Sequence, residues 1–172
     1  MKLEELKIEA KQWIEFLQME KHPEGGYYKS SFTSINQMEF ATHDGERPLY
    51  TSIYFLLRSE DFSHFHRLKS DELWYFHAGS ALTVHMIDEK GHYRQERLGI
   101  GIADGEKPQV LVKKGSIFGS TVDSENSFSL VGCMVAPGFD FKDFELFTQQ
   151  QLMQYYPQHQ EIIERLAYED IP

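Results

Sequence analysis

Residues 63 to 79 read SHFHRLKSDELWYFHAG and hold three histidines, an aspartate and a glutamate between two apolar runs. Side chains alternate along an extended strand, so His64 and His66 project to one face. Glu72, beyond the polar bend RLKSD, can return to that face on the next strand. Two histidines and a carboxylate converging inside a barrel form the facial triad of non-haem iron and related metals, with positions left open for substrate. A structural reading uses the same residues: His64 and Asp71 face solvent at a strand end, and His66 satisfies a buried hydrogen bond.

Other polar groups could join this site. Alternation from Glu72 puts Trp74 and Phe76 on its face and Leu73, Tyr75 and His77 on the opposite one, so His77 reaches a shared cavity only through a bulge. Gln109 opens the run QVLV; its amide either points into a barrel, where a carbonyl or hydroxyl could meet it, or sits in water at a strand edge. Tyr54 lies in an almost wholly apolar strand and needs a hydrogen-bond partner if buried. In HPEGGYY two glycines open backbone conformations closed to other residues, so Glu24 and Tyr27 can be held over a neighbouring surface, or the segment is a plain turn between helix and strand. Asp140 and Asp143, in APGFDFKDFEL, are expected to cap or bond the loop backbone. Cys133, the only cysteine, excludes an internal disulfide, and its neighbours SLVGCMVAP describe a packed strand.

The elements that must carry these groups are short. Leu6, Trp13, Ile14 and Leu17, spaced among Glu and Lys, predict an amphipathic helix over residues 2–18, closed by the Pro and Gly pair of HPEGGYY. From Leu49 the period changes, and LYTSIYFLL, ELWYFHAG, ALTVHMID, VLVKKGSIFG and FSLVGCMV are β-branched or aromatic runs separated by turns such as DEKG and ADGEKP. Short, numerous strands without intervening helices predict an all-β-dominated sandwich, jelly roll or barrel over roughly 49–136. Residues 148–169 read as helical turns broken at Pro157. At 172 residues the chain suits one domain.

Composition narrows the partners. Lys and Arg number 17 against 27 Asp and Glu, a formal charge of -10, and no basic block could follow a phosphate backbone, which argues against nucleic acid. The N-terminus is charged and helix-like, and no apolar run approaches ~18 residues, so no membrane span is expected and the protein is predicted to be soluble and cytoplasmic.

The spacing His64-x-His66-x5-Glu72-x6-Gly79 resembles the first motif of the cupin superfamily, G-x5-H-x-H-x3–4-E-x6-G. Arg58 stands where the leading glycine would be, and the gap before Glu72 is one residue longer. The second motif, P-x-G-x2-H, aligns with Lys113 to Phe118, so Phe118 replaces its histidine. HPEGGYY, IYFLL, FHRLKSDELWYFHAG, LGIGIADGEKPQVLVKKG and SLVGCMVAPGFDFKDFEL resemble the successive blocks of the cupin-5 (DUF985) family. That resemblance implies an RmlC-like jelly-roll β-barrel with short terminal helices, commonly a homodimer, with a pocket at its open end. The family's F-H-R-x-x-S-D-E matches Phe65, His66, Arg67, Ser70, Asp71 and Glu72 and leaves His64 outside.

These features predict a small polar ligand in the barrel, of sugar or hydroxy/keto acid type. His66 and Glu72 are the expected acid–base residues, with Tyr54 or His77 as a second proton site and His64, Trp74, Gln109, Glu24 and Tyr27 as substrate contacts. Isomerase- or epimerase-like chemistry stands beside two alternatives, a non-catalytic metabolite-binding module and a metal-dependent His/His/Glu enzyme. No tight cofactor is expected; weak, exchangeable binding of a divalent metal is the most the pattern supports, because Phe118 has no lone pair to donate.

Overall fold

The computed structural model describes residues 3–172, with side chains from Ala10 onward. Helix α1 (Leu3–Phe16) is followed by strands β1 (Glu20–Lys21), β2 (Tyr27–Thr33), β3 (Gln37–Glu39), β4 (Glu46–Pro48), β5 (Thr51–Arg58), β6 (Ser63–Leu68) and β7 (Asp71–Gly79). Then come β8 (Leu82–Ile87), β9 (Tyr93–Leu98), β10 (Gln109–Val112), β11 (Ile117–Val122), β12 (Phe128–Ala136) and β13 (Phe144–Leu146). Helices α2 (Gln149–Tyr155) and α3 (Gln160–Leu166) close the chain on either side of Pro157. The sheets therefore recruit strands on both sides of the 49–136 stretch.

Two antiparallel sheets face each other in a jelly roll, in the orders β1-β2-β5-β12-β7-β10 and β13-β6-β11-β8-β9. They do not join into one hydrogen-bonded ring. Alternating residues of both sheets fill the space between them: Phe55 and Leu57 from β5, Trp74 from β7, Val84 and Met86 from β8, Phe118 from β11 and Val131 from β12 are all buried. Each side chain of this size contributes about 1.5–3 kcal/mol when taken from water.

The outer faces are covered unequally. Trp13, Ile14 and Leu17 of the N-terminal segment pack over Leu56, Phe128 and Leu130 at one end of the first sheet. Leu6, the other apolar position of that expected stripe, lies outside the described side chains. Leu152, Ile163 and Leu166 of α2 and α3 cover Phe65, Ile87 and Ile117 on the second sheet. Thr148 caps α2, accepting from the Gln151 N–H while the Gln151 side chain accepts from the Thr148 N–H.

Three bulges break the alternation read from the sequence. Between β6 and β11, Phe118 pairs with His66 and Ser120 with Ser63, so His64 and Phe65 together oppose Gly119. A Cβ at Gly119 would run into the Ser63 carbonyl oxygen, which is why this position has no side chain. Between β7 and β12, Ala78 pairs with Leu130 and Phe76 with Val131, leaving His77 as the extra residue. Between β2 and β5, Ser31 is extra.

Candidate functional site

A cavity of about 310 Å³ opens between the sheets, lined by His22, Glu24, His66, Glu72 and Cys133 together with Tyr28, Phe55, Phe139, Phe141 and Phe144. Glu24 is delivered by the turn after β1. The Gly25 N–H donates to the His22 carbonyl at 3.0 Å, and Gly25 and Gly26 take φ of 109° and 73°, values that favour glycine. The Glu24 carbonyl oxygen then accepts both the His64 backbone N–H at 2.7 Å and the His64 Nδ1–H at 2.7 Å. This pair of hydrogen bonds locks the turn to β6.

The bulge at His64 and Phe65 decides which β6 residues face inward. Ser63 and His66 point to the cavity side, and Phe65 points to the α2–α3 layer. His64 instead stacks on Tyr168 at 3.7 Å between ring centroids. The expectation that His64 and His66 share a face is therefore corrected: one extra residue in the strand reverses the parity.

Glu24 Oε2 lies 3.0 Å from His66 Nε2, and the Ser63 hydroxyl donates to Glu24 Oε1 at 2.8 Å. His66 Nδ1 lies 2.7 Å from the His64 carbonyl oxygen, which can only accept, so Nδ1 carries the proton and Nε2 presents a lone pair. Burial drives His66 down to about 3, opposed by its hydrogen bond to the His64 carbonyl and assisted to a smaller extent by the neighbouring His22 and His64 rings. Glu24 is pushed well above the usual carboxyl range by burial and then by the charge of Glu72, while Ser63 opposes. Both shifts favour uncharged forms, so the 3.0 Å contact is a neutral hydrogen bond from the Glu24 carboxyl to His66, rather than an ion pair. His22 accepts from the Glu24 N–H through Nδ1 at 3.2 Å and is lowered to about 4 by burial.

Glu72 stands on β7 within the same cavity and is 6% exposed. Burial raises it to about 8, partly offset by the Trp74 indole and the Cys133 thiol. Among the described residues, Glu72 Oε2 and Trp74 Nε1 are both buried without a hydrogen-bond partner meeting ordinary geometry. A buried polar atom without a partner carries a desolvation cost that a bound ligand would relieve. The Cys133 thiol is pushed up by burial and then by Glu72 and Glu24, which makes it an unreactive wall of the cavity.

The remaining candidates lie elsewhere. His77 is exposed; its bulge leaves it on the outer face of the first sheet, with Nε2 2.6 Å from where a Gly132 Cβ would stand and its ring 6.1 Å from Tyr54. Tyr54 and Tyr27 pack beneath α1, and the Arg58 guanidinium lies 5.3 Å over the Tyr27 ring. Gln109 is exposed because Val110 and Val112 take the inward positions of β10. Trp74 is core, packed on Phe55 and Phe118 below Glu72. Asp140 bonds the loop backbone at Lys142 N as expected. Asp143 does not: it is clamped by Arg47 Nε at 2.8 Å and Nη2 at 3.1 Å. The sequence reading passed over His22, which sits beside Glu24 in HPEGGYY; its closeness to an acidic residue in a glycine turn was the available signal.

The donor set does not fit a metal centre. His64 is turned out, the Phe118 ring packs on the His66 ring with centroids 4.1 Å apart, and both His66 nitrogens are engaged. Among the described residues, no three His, Cys, Asp or Glu side chains are arranged to hold an ion.

A two-sheet jelly roll with its acid and imidazole groups directed into the space between the sheets defines a cupin. The match to the cupin superfamily (DUF985) family covers residues 11–147, and the chain belongs to that family. A protein from Shewanella oneidensis is similar at 50% identity, with TM-score 0.87 over 94% of this chain and 98% of that one. A hypothetical protein from Leishmania major is similar at 43% identity, with TM-score 0.89 over 93% and 99%. Oxalate decarboxylase from Bacillus subtilis, at 15% identity and TM-score 0.57 over 89% of this chain and 38% of its own, shares the fold alone. No curated protein sequence matches the chain. Among the described residues, no helix is long and apolar enough to cross a membrane.

Proposed function

We propose that the cavity binds a small uncharged molecule bearing a hydroxyl or carbonyl group and performs acid–base chemistry of the isomerase or epimerase kind on it. The observation that carries this reading is Glu72, a cavity-lining carboxyl whose buried Oε2 has no hydrogen-bond partner among the described residues. Below about pH 8 the carboxyl holds its proton and can donate it to a substrate oxygen, while the Glu24–His66 pair supplies the second proton-transfer group. The volume corresponds to about ten waters, enough for a sugar-sized compound and too little for a polymer.

Charge narrows the substrate class expected from sequence. Among the described residues, the cavity lining contains two carboxyl groups and no Lys or Arg. A keto acid or an oxalate-like dianion would lose its hydration without gaining a cation, so the neutral hydroxy-carbonyl class is preferred over the acids. Metal binding in this reading is weak and exchangeable at most, and no step runs through a metal. The chain is proposed to act as a homodimer; light scattering at micromolar concentration that returns one 20.1 kDa chain would remove that part.

One observation favours a non-catalytic module instead: Ser63, Glu24 and His66 already satisfy one another. Incubation with hydroxyacetone in D2O separates the two. Exchange of carbon-bound hydrogen for deuterium, followed by NMR and lost in Glu24→Gln and His66→Ala, is the expected result. Saturable binding without exchange would leave only the module.

A further inference from the structure

We propose that a second site, a cationic cleft on the outer side of β6 and β13, binds a small phosphate-bearing anion. The cleft encloses about 880 Å³. Arg67, Lys69, Lys114 and Lys142 line it, on a chain whose formal charge is -10. Against three lining carboxylates, Glu89, Asp143 and Glu145, these four cations leave the cleft net positive on a chain that is acidic overall, and a concave surface focuses that excess on an entering anion.

The carboxylates in the cleft do not neutralise these lysines. Asp143 gives both oxygens to Arg47, and Lys69 reaches it only at 3.9 Å. Glu145 accepts from Arg67 Nε at 3.1 Å and Nη2 at 2.7 Å. Glu89 is left as the one acidic group there without an ion pair, and among the described residues Lys114 and Lys142 form none. The lysines come from three separate segments, the bend after β6, the turn before β11 and the short helical turn at residues 141–143, so the fold rather than local sequence assembles them.

Lysine ammonium groups act as compact point charges suited to phosphate oxygens, and the Thr42 hydroxyl in the same cleft offers a neutral donor. Leu68 and Phe144 line both this cleft and the apolar cavity, so the two sites share a wall while differing in charge. The cavity suits an uncharged molecule; the cleft suits an anion.

Titration of the full chain with pyrophosphate, followed by amide NMR and calorimetry, tests the proposal. The expected result is saturable binding with shifts centred on Lys69, Lys114, Gly115 and Lys142, weakened about tenfold by Lys114→Ala and again by Lys142→Ala. Lys90→Ala removes the same charge outside the cleft and is expected to leave affinity unchanged, as is Glu72→Gln, which reports on the cavity alone. Shifts scattered over all surface lysines, equal losses in Lys90→Ala, or no saturation would overturn it. Retained amide dispersion in each variant establishes that the fold survives.

Discussion

Glu24 Oε2 and His66 Nε2 stand 3.0 Å apart, and burial holds both partners uncharged. The expected NMR signature is a neutral His66 with its proton on Nδ1, persisting well below pH 6. A His66 imidazolium at pH 6 would show that the contact is an ion pair after all.

Glu72 makes stability depend on pH with a defined sign. Folded, it keeps its proton to about 8, against 4.5 when unconstrained, so the native state binds the extra proton between those values and stability falls as pH rises through that window. His66 and His22 work on the other side: their pKa values of about 3 and about 4, against 6.5, make stability fall as pH drops below 6.5. Glu72→Gln is expected to shrink the alkaline limb, leaving the part due to the likewise raised Glu24, its Tm gaining on the wild type by several degrees between pH 5 and 8. Parallel Tm curves would contradict the raised carboxyl.

Gly119 faces the His64–Phe65 bulge, and an added methyl meets the Ser63 backbone. Gly119→Ala should cost about 1–3 kcal/mol by denaturant unfolding, as overpacking does elsewhere. A neutral effect would mean the bulge relaxes freely.

Tyr168 braces the site from the C-terminal end, stacking on His64 and donating its hydroxyl to the Pro23 carbonyl oxygen at 3.1 Å. Burial is the largest cause of the lowered His64 pKa. Tyr168→Ala should move His64 up toward 6.5 in an NMR titration and cost about 1 kcal/mol. An unshifted His64 would disconnect the stack from its titration.

Elemental analysis of untagged protein purified without chelator addresses metal binding. Substoichiometric transition metal is expected, since His66 is engaged at both nitrogens. About one tightly held ion per chain, lost in His66→Ala, would require ligands to rearrange and would restore the metal-dependent reading.

By itself the sequence determined the elements and the chemistry-bearing segment. Period-two apolar runs cannot bury their faces except in facing sheets, and the bend RLKSD between two such runs returns Glu72 to the cavity that holds His66. Its glycine pair marked the Glu24 turn for a backbone reason that acts within a few residues. Which way each strand's side chains point was decided only in three dimensions. The parity of His64 and His66 depends on Gly119 of a partner strand, and Gln109 faces water because Val110 and Val112 fill the core. The charge state of Glu24, Glu72 and His66 was likewise hidden, because desolvation is set by what surrounds a group in space, and no residue adjacent in the chain records it.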